Sequence, residues 1–229
     1  MKHPKQFLIR CGFATLALFF NTLGLCILRL SCLGSEPVTG FCFSLHERFG
    51  LSITLCMGVL NAILMVLDVI FYRESLGFGT LTGLFITGFF ADFWQWVLGR
   101  VLGLHFEFSG MGQLGFRLVL LAVGICIAVF FCSFYLAAQV GMAPYDSMGY
   151  LVQKVSHGKI PFKRTRVVQD CACVLATVLI AIPQGTQWQI VGIGTVIMAL
   201  GLGPALTFLQ EKIALPFYEK IGVRKTVWG

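Results

Sequence analysis

The chain has only 10 acidic residues in 229, and three aspartates stand where a carboxylate is costly. Asp92 lies amid Phe89, Phe90, Phe93 and Trp94 with no basic neighbour. Asp170 follows Arg166 by one helical turn, a spacing at which the two side chains can pair. Asp146 stands two residues after Pro144. An ionisable group in an apolar span costs roughly 2.5–3.5 kcal/mol on insertion scales and usually faces the protein interior. Such groups carry protons or cations, contact a polar substrate, or hold a gate. Plainer roles are open for each. Asp92 could sit at the outer interface beside Trp94 and Trp96. Asp170 could simply pair with Arg166, and Asp146 could cap a helix. Asp68, near the end of its span, is expected to snorkel or to pair with Arg73.

Other polar groups recur in pairs. Arg10 and Arg117 each lie near the start of an apolar span, either as headgroup anchors or as inward ion-pair partners or anion contacts. Asn61 is polar within a span and aligns loosely with Asp170. The run Gly77-Phe78-Gly79-Thr80, with Gly88, returns as Gly192-Ile193-Gly194-Thr195, with Gly203. Glycines there allow a tight turn, and the helix that follows exposes N–H groups suited to an anionic substrate group. The structural alternative is a turn with a threonine cap and close helix packing. No Lys follows the Thr, so this is not a phosphate loop.

The remaining chemistry is sparse. His3, His46, His105 and His157 are scattered without metal spacing, Cys171-x-Cys173 lacks a zinc or redox spacing, and no nucleophile motif is present. No enzyme activity, metal or cofactor is expected. The nine cysteines lie mostly inside apolar spans; a Cys32–Cys42 bridge in an external loop is the one disulfide to consider.

These residues sit in a chain that is 57% hydrophobic and 12% charged, against roughly 25% charged for a soluble domain. That excludes a water-soluble globule and implies an integral membrane protein. The net charge of +7 is better explained by orientation in the membrane than by nucleic acid, because the basic residues fall between apolar spans. The fold expected is an all-α integral membrane protein of six transmembrane helices, near Phe7–Leu30, Leu51–Tyr72, Gly79–Leu98, Leu114–Gln139, Val167–Ile182 and Ile190–Leu209. The first is too long for a signal-peptide core and is read as part of the fold.

The spans repeat. Gln6, Arg10, Gly34 and Pro37 return as Gln113, Arg117, Gly141 and Pro144 at one constant shift. Two units result, residues 1–106 and 107–229, the second ending in a short cytoplasmic tail. Each has three spans and one short interfacial or re-entrant helix begun by proline, at Pro37 and at Pro144. An odd number of spans per unit inverts the second relative to the first. With both termini cytoplasmic, only Arg29, Arg48, Arg100 and Arg117 fall outside and the other lysines and arginines fall inside, as the positive-inside rule requires.

Taken in order, Arg117, Gly141-x-x-Pro144-x-Asp146, Gly158, Arg166-x-x-x-Asp170, Gly192-x-Gly194-Thr195 and Gly203-Pro204 resemble the YczE/YitT-like bacterial membrane proteins. The first half carries a weaker copy that includes Gly88 and Asp92. The sequence departs from that family at Asp170, where Glu is more usual, and at Tyr145, where Trp or Arg is common. The resemblance implies a multi-pass protein of the bacterial inner membrane with transport suspected. The expected function is therefore a small secondary transporter or permease working by alternating access of inverted repeats. Its partners would be the lipid bilayer and a small molecule bearing an anionic group, with a homodimer possible through small-residue faces and no nucleic acid. Two alternatives remain: a substrate-binding membrane subunit of an energy-coupling vitamin importer, and a non-transporting assembly or secretion factor.

Overall fold

A computed structural model describes residues 4–51, 53–101, 103, 114–184 and 191–221, and among these there is helix and connection but no strand. Lys2, His3, His105, Gln113, Ile190, Arg224, Lys225 and the 106/107 division between the two units lie outside the described residues. Eight helices follow in order: α1 (Pro4–Leu30), α2 (Pro37–Phe49), α3 (Ile53–Phe71), α4 (Phe78–Arg100), α5 (Leu114–Ala137), α6 (Pro144–Val155), α7 (Phe162–Ala181) and α8 (Ile193–Lys220). Four of them, α1, α4, α5 and α8, are long and apolar enough to cross a bilayer. The apolar run of α3, Leu55–Phe71, is shorter, and α7 opens with Lys163, Arg164 and Arg166. The helix expected as a fifth span thus begins several residues before Val167, and α8 continues past Leu209 through a π-helical turn at Gln210–Ala214.

Local sequence explains the short helices. Proline opens both α2 and α6 at a position where its missing N–H costs nothing. α2 stops at Gly50, whose left-handed backbone (φ 69°) returns its N–H to His46 O.

The centre of the bundle is the antiparallel pair α1 and α5. Arg117, at the start of α5, donates from Nε to Ser31 O (2.8 Å) and from Nη2 to Cys32 O (2.7 Å). A cation at these terminal carbonyls of α1 also answers the helix dipole. Further along, Phe20 stacks on Phe131 at 4.9 Å. The approach is close because glycine faces backbone: a Cβ on Gly124 would stand 2.6 Å from the Leu28 nitrogen, and one on Gly24 2.8 Å from Ala128 Cα. Around this pair the short helices cross over. α2 lies on α7, and α6 lies on α3.

Two joints of the same design tie the chain together. Gly79 N–H donates to Val140 O at 2.8 Å, and Gly194 N–H donates to Leu33 O at 2.8 Å. Gly141 (φ 99°) meets Gly77, and Gly34 (φ 130°) meets Gly192 and Thr195. Thr80 Oγ1 lies 2.9 Å from Met142 O, while Thr195 Oγ1 accepts the Ser35 N–H at 3.0 Å. A side chain at Gly79 would strike the Gly141 carbonyl, and one at Gly192 the Leu33 carbonyl.

The outer helices differ. α8 fits into α7, where a Cβ on Gly203 would stand 2.8 Å from Lys163 O and 3.2 Å from Arg166 Cβ. α4 instead rests on α1, with Trp94 Nε1 donating to Phe19 O at 2.9 Å and Phe90 edge-on to Phe19 at 5.1 Å. Its other face, with Phe85, Phe89 and Trp96, is exposed. Between α1 and α4 an apolar groove of about 580 Å³ opens on the outer surface, lined by Phe7, Thr15, Phe19, Phe78 and Phe90 among others. No disulfide joins Cys32 to Cys42: the first is exposed and the second buried.

Candidate functional site

Three of the sequence-derived candidates come together where α6 crosses α7. Arg166, 2% exposed, reaches Asp146 Oδ1 from Nη1 at 2.7 Å. Its Nε lies 3.3 Å from Oδ2 of Asp170, itself 1% exposed. That is an ion-pair separation without the alignment of a hydrogen bond, and both atoms are otherwise unpartnered. The Arg166–Asp170 pairing expected from their spacing is present. Asp146 does not cap its helix with its side chain; its carboxylate, in the first turn of α6, is spent on Arg166 instead.

Tyr145 completes the centre. Its hydroxyl donates to Asp170 Oδ1 at 2.7 Å, and the Arg166 guanidinium lies over its ring at 4.7 Å. Gln169 Nε2 donates to Tyr145 O at 2.9 Å, holding the start of α6 to α7. Glu36, on the connection before α2, is half-buried, with Thr39 Oγ1 3.4 Å from its Oε2. Glu36, Asp146 and Arg166 share the wall of a cavity of about 40 Å³ with Asn21, Leu25, Ala128, Cys132, Met198 and Leu202. That volume admits water. It is far below the ~300 Å³ at which small-molecule pockets begin. Three carboxyl groups against one guanidinium leave the centre with excess negative charge when all are ionised.

The other candidates lie elsewhere. Asp92 is exposed on α4, and neither it nor Asn61 is joined to the cluster by a hydrogen bond or ion pair among the described residues. Asn61 is half-buried on α3 with Oδ1 unpartnered. Arg117 is the clasp at the end of α1, and Arg10 is buried near Tyr218. Gly77, Gly79, Thr80, Gly192, Gly194 and Thr195 form the two joints, where the Gly79 and Gly194 N–H groups already serve backbone carbonyls.

Two groups take roles that the sequence did not assign to them. Tyr145 was read only as a departure from a family pattern, although an aromatic hydroxyl between Pro144 and Asp146 has few apolar reasons to be there. Asp68 does not pair with Arg73, whose Nε goes to Val69 O. It is fully buried, with its Oδ2 against the Ser147 hydroxyl on α6.

A bundle of apolar helices around buried ion pairs, four of them able to span a bilayer, defines a helical membrane protein. The chain belongs to the family described as Family of unknown function (DUF6198), which it matches over residues 8–211. It is 26% identical over 200 residues to the uncharacterized protein YyaS of Bacillus subtilis (strain 168), covering 87% of this chain and 91% of that one. It is 23% identical over 190 residues to the uncharacterized membrane protein YczE of the same organism, covering 81% and 78%. No solved structure matches.

Proposed function

We propose that the chain is a small secondary transporter of the bacterial inner membrane, built as two inverted units of three spans (residues 1–106 and 107–229) with both termini cytoplasmic. The observation that carries this reading is the buried Arg166–Asp146–Asp170 centre, set against a water-sized cavity. Intramembrane ionisable clusters mark substrate and ion pathways. The inverted arrangement is supported by the matched joints, in which Gly79 binds Val140 O and Gly194 binds Leu33 O. Each joint crosses from one unit to the other, so rocking one unit against the other pivots on both. The cavity size corresponds to a closed state, which opens by separating α6 from α7.

The geometry favours a cargo other than the anionic one expected from the sequence. A preference for an anionic group rested on the glycine-rich helix starts, whose donors are occupied. Glu36, Asp146 and Asp170 around one arginine favour a cationic solute or a coupled proton instead.

Flux of a broad panel of cationic and neutral metabolites into proteoliposomes tests the proposal. Substrate-dependent flux that Arg166→Met abolishes is expected. An absence of flux across the panel under both proton and sodium gradients overturns it. A second reading, a non-transporting assembly factor, is favoured by the same small cavity, and predicts no flux together with co-purification of a client.

A further inference from the structure

Asp68 sits on α3 on the other side of α6 from the ion cluster, next in contact to Ser147 rather than to any arginine. It is 0% exposed. Its Oδ2 contacts the Ser147 hydroxyl, the Ser75 hydroxyl is also within hydrogen-bonding reach, and Oδ1 has no partner. Among the described residues no ion pair reaches it.

The charged groups around it are committed elsewhere. Lys154 of α6 is 2.9 Å from Glu74 and lies over the Tyr72 ring at 5.0 Å. Arg73 Nε goes to Val69 O, and Asp146 of α6 goes to Arg166. α2 meets α3 near the far end, at Cys42 and Cys56. An ionised carboxylate here would be dehydrated with one oxygen bare and no cation beside it, which is the costliest way to bury an acid.

The serine geometry offers a cheaper state. Ser147 Oγ is 2.8 Å from Pro144 O as well as touching Asp68, and Ser75 Oγ is 2.8 Å from Tyr72 O. A hydroxyl has one proton. When Ser147 gives its proton to the Pro144 carbonyl, its contact with Asp68 is a hydrogen bond only if Asp68 supplies the proton. A continuous chain then runs from carboxyl to hydroxyl to carbonyl, with every donor used.

We propose that Asp68 is a proton-binding site. It holds a proton taken from solvent as a carboxylic acid that donates to Ser147, and on releasing that proton it becomes an acceptor and turns the Ser147 hydroxyl away from Pro144. Its partner Ser147 is the residue next to Asp146, so α6 meets an ion pair on one side and a protonated carboxyl on the other. The proposal stands whether or not the protein moves a solute.

Infrared spectra of the purified full chain in lipid, recorded in H2O and D2O at about pH 7, where an ordinary aspartate is ionised, test it directly. A deuterium-sensitive carboxylic acid band is expected, lost in Asp68→Asn and retained in Asp92→Asn. Should Asp68→Asn fail to fold, Ser147→Ala keeps the carboxyl and is expected to move the band to higher frequency by removing its acceptor. A wild-type minus Asp68→Asn difference spectrum without a deuterium-sensitive carboxylic acid band, or one whose band is unmoved by Ser147→Ala, overturns the proposal.

Discussion

At Asp170 the buried carboxyl faces a guanidinium 3.3 Å away and a phenol at 2.7 Å; at Asp68, on the other side of the same short helix, it faces two serines and no cation. Burial is equally complete at both. The difference lies in what each centre loses when a partner is removed. An ion cluster is brittle, because deleting one charge strands the others in a medium that cannot solvate them. A neutral acid in a hydroxyl chain is tolerant, because an amide of the same shape can replace it.

The largest effect expected is from Arg166→Met, which leaves Asp146 and Asp170 uncompensated. A loss of about 3–5 kcal/mol in unfolding free energy is expected, measured by denaturant titration in detergent. Arg166→Lys should recover only part of it, since one ammonium cannot reproduce the two-sided fork. If Arg166→Met unfolds within about 1 kcal/mol of wild type, the cluster is not the brittle centre described. Tyr145→Phe removes one hydrogen bond to a charged acceptor, and a loss of about 1.5–3 kcal/mol in the same assay is expected.

Gly192→Ala serves as a test of packing without charge. Its methyl group meets the Leu33 carbonyl, and a cost of about 1–3 kcal/mol is expected, with thermal unfolding monitored by helical circular dichroism. The smallest effect belongs to Asp68→Asn, at less than about 1 kcal/mol. Were Asp68→Asn as damaging as Arg166→Met, the two centres would be alike and the contrast would collapse.

The sequence carried these centres unequally. Arg166 and Asp170 are one turn apart, so a helix alone brings them together and spacing suffices to see it. Asp146 joins them only because α6 folds back across α7, a tertiary event that no local pattern encodes. Asp92 drew notice through its aromatic neighbours, yet α4 rests on one side only, and its other face leaves that carboxylate outside the core. The recurrence of Gly-x-Gly-Thr was legible, but its task was not. The helix starts were open to an anion-facing or a packing role, and Val140 O and Leu33 O take up their Gly79 and Gly194 N–H groups. Charged residues at the ends of α7 and α8 hide helical continuity from a hydropathy reading.

The crossed joints bear on how the protein is made. When α4 leaves the ribosome, the carbonyl that will receive the Gly79 N–H belongs to a residue not yet synthesised. The Gly79 amide can therefore meet its acceptor only after Val140 is made, while Gly194, made later, finds Leu33 already in place. A stop codon after residue 106 leaves the Gly79 N–H without Val140 O, and the fragment is expected to be degraded unless the rest of the chain is supplied as a separate polypeptide.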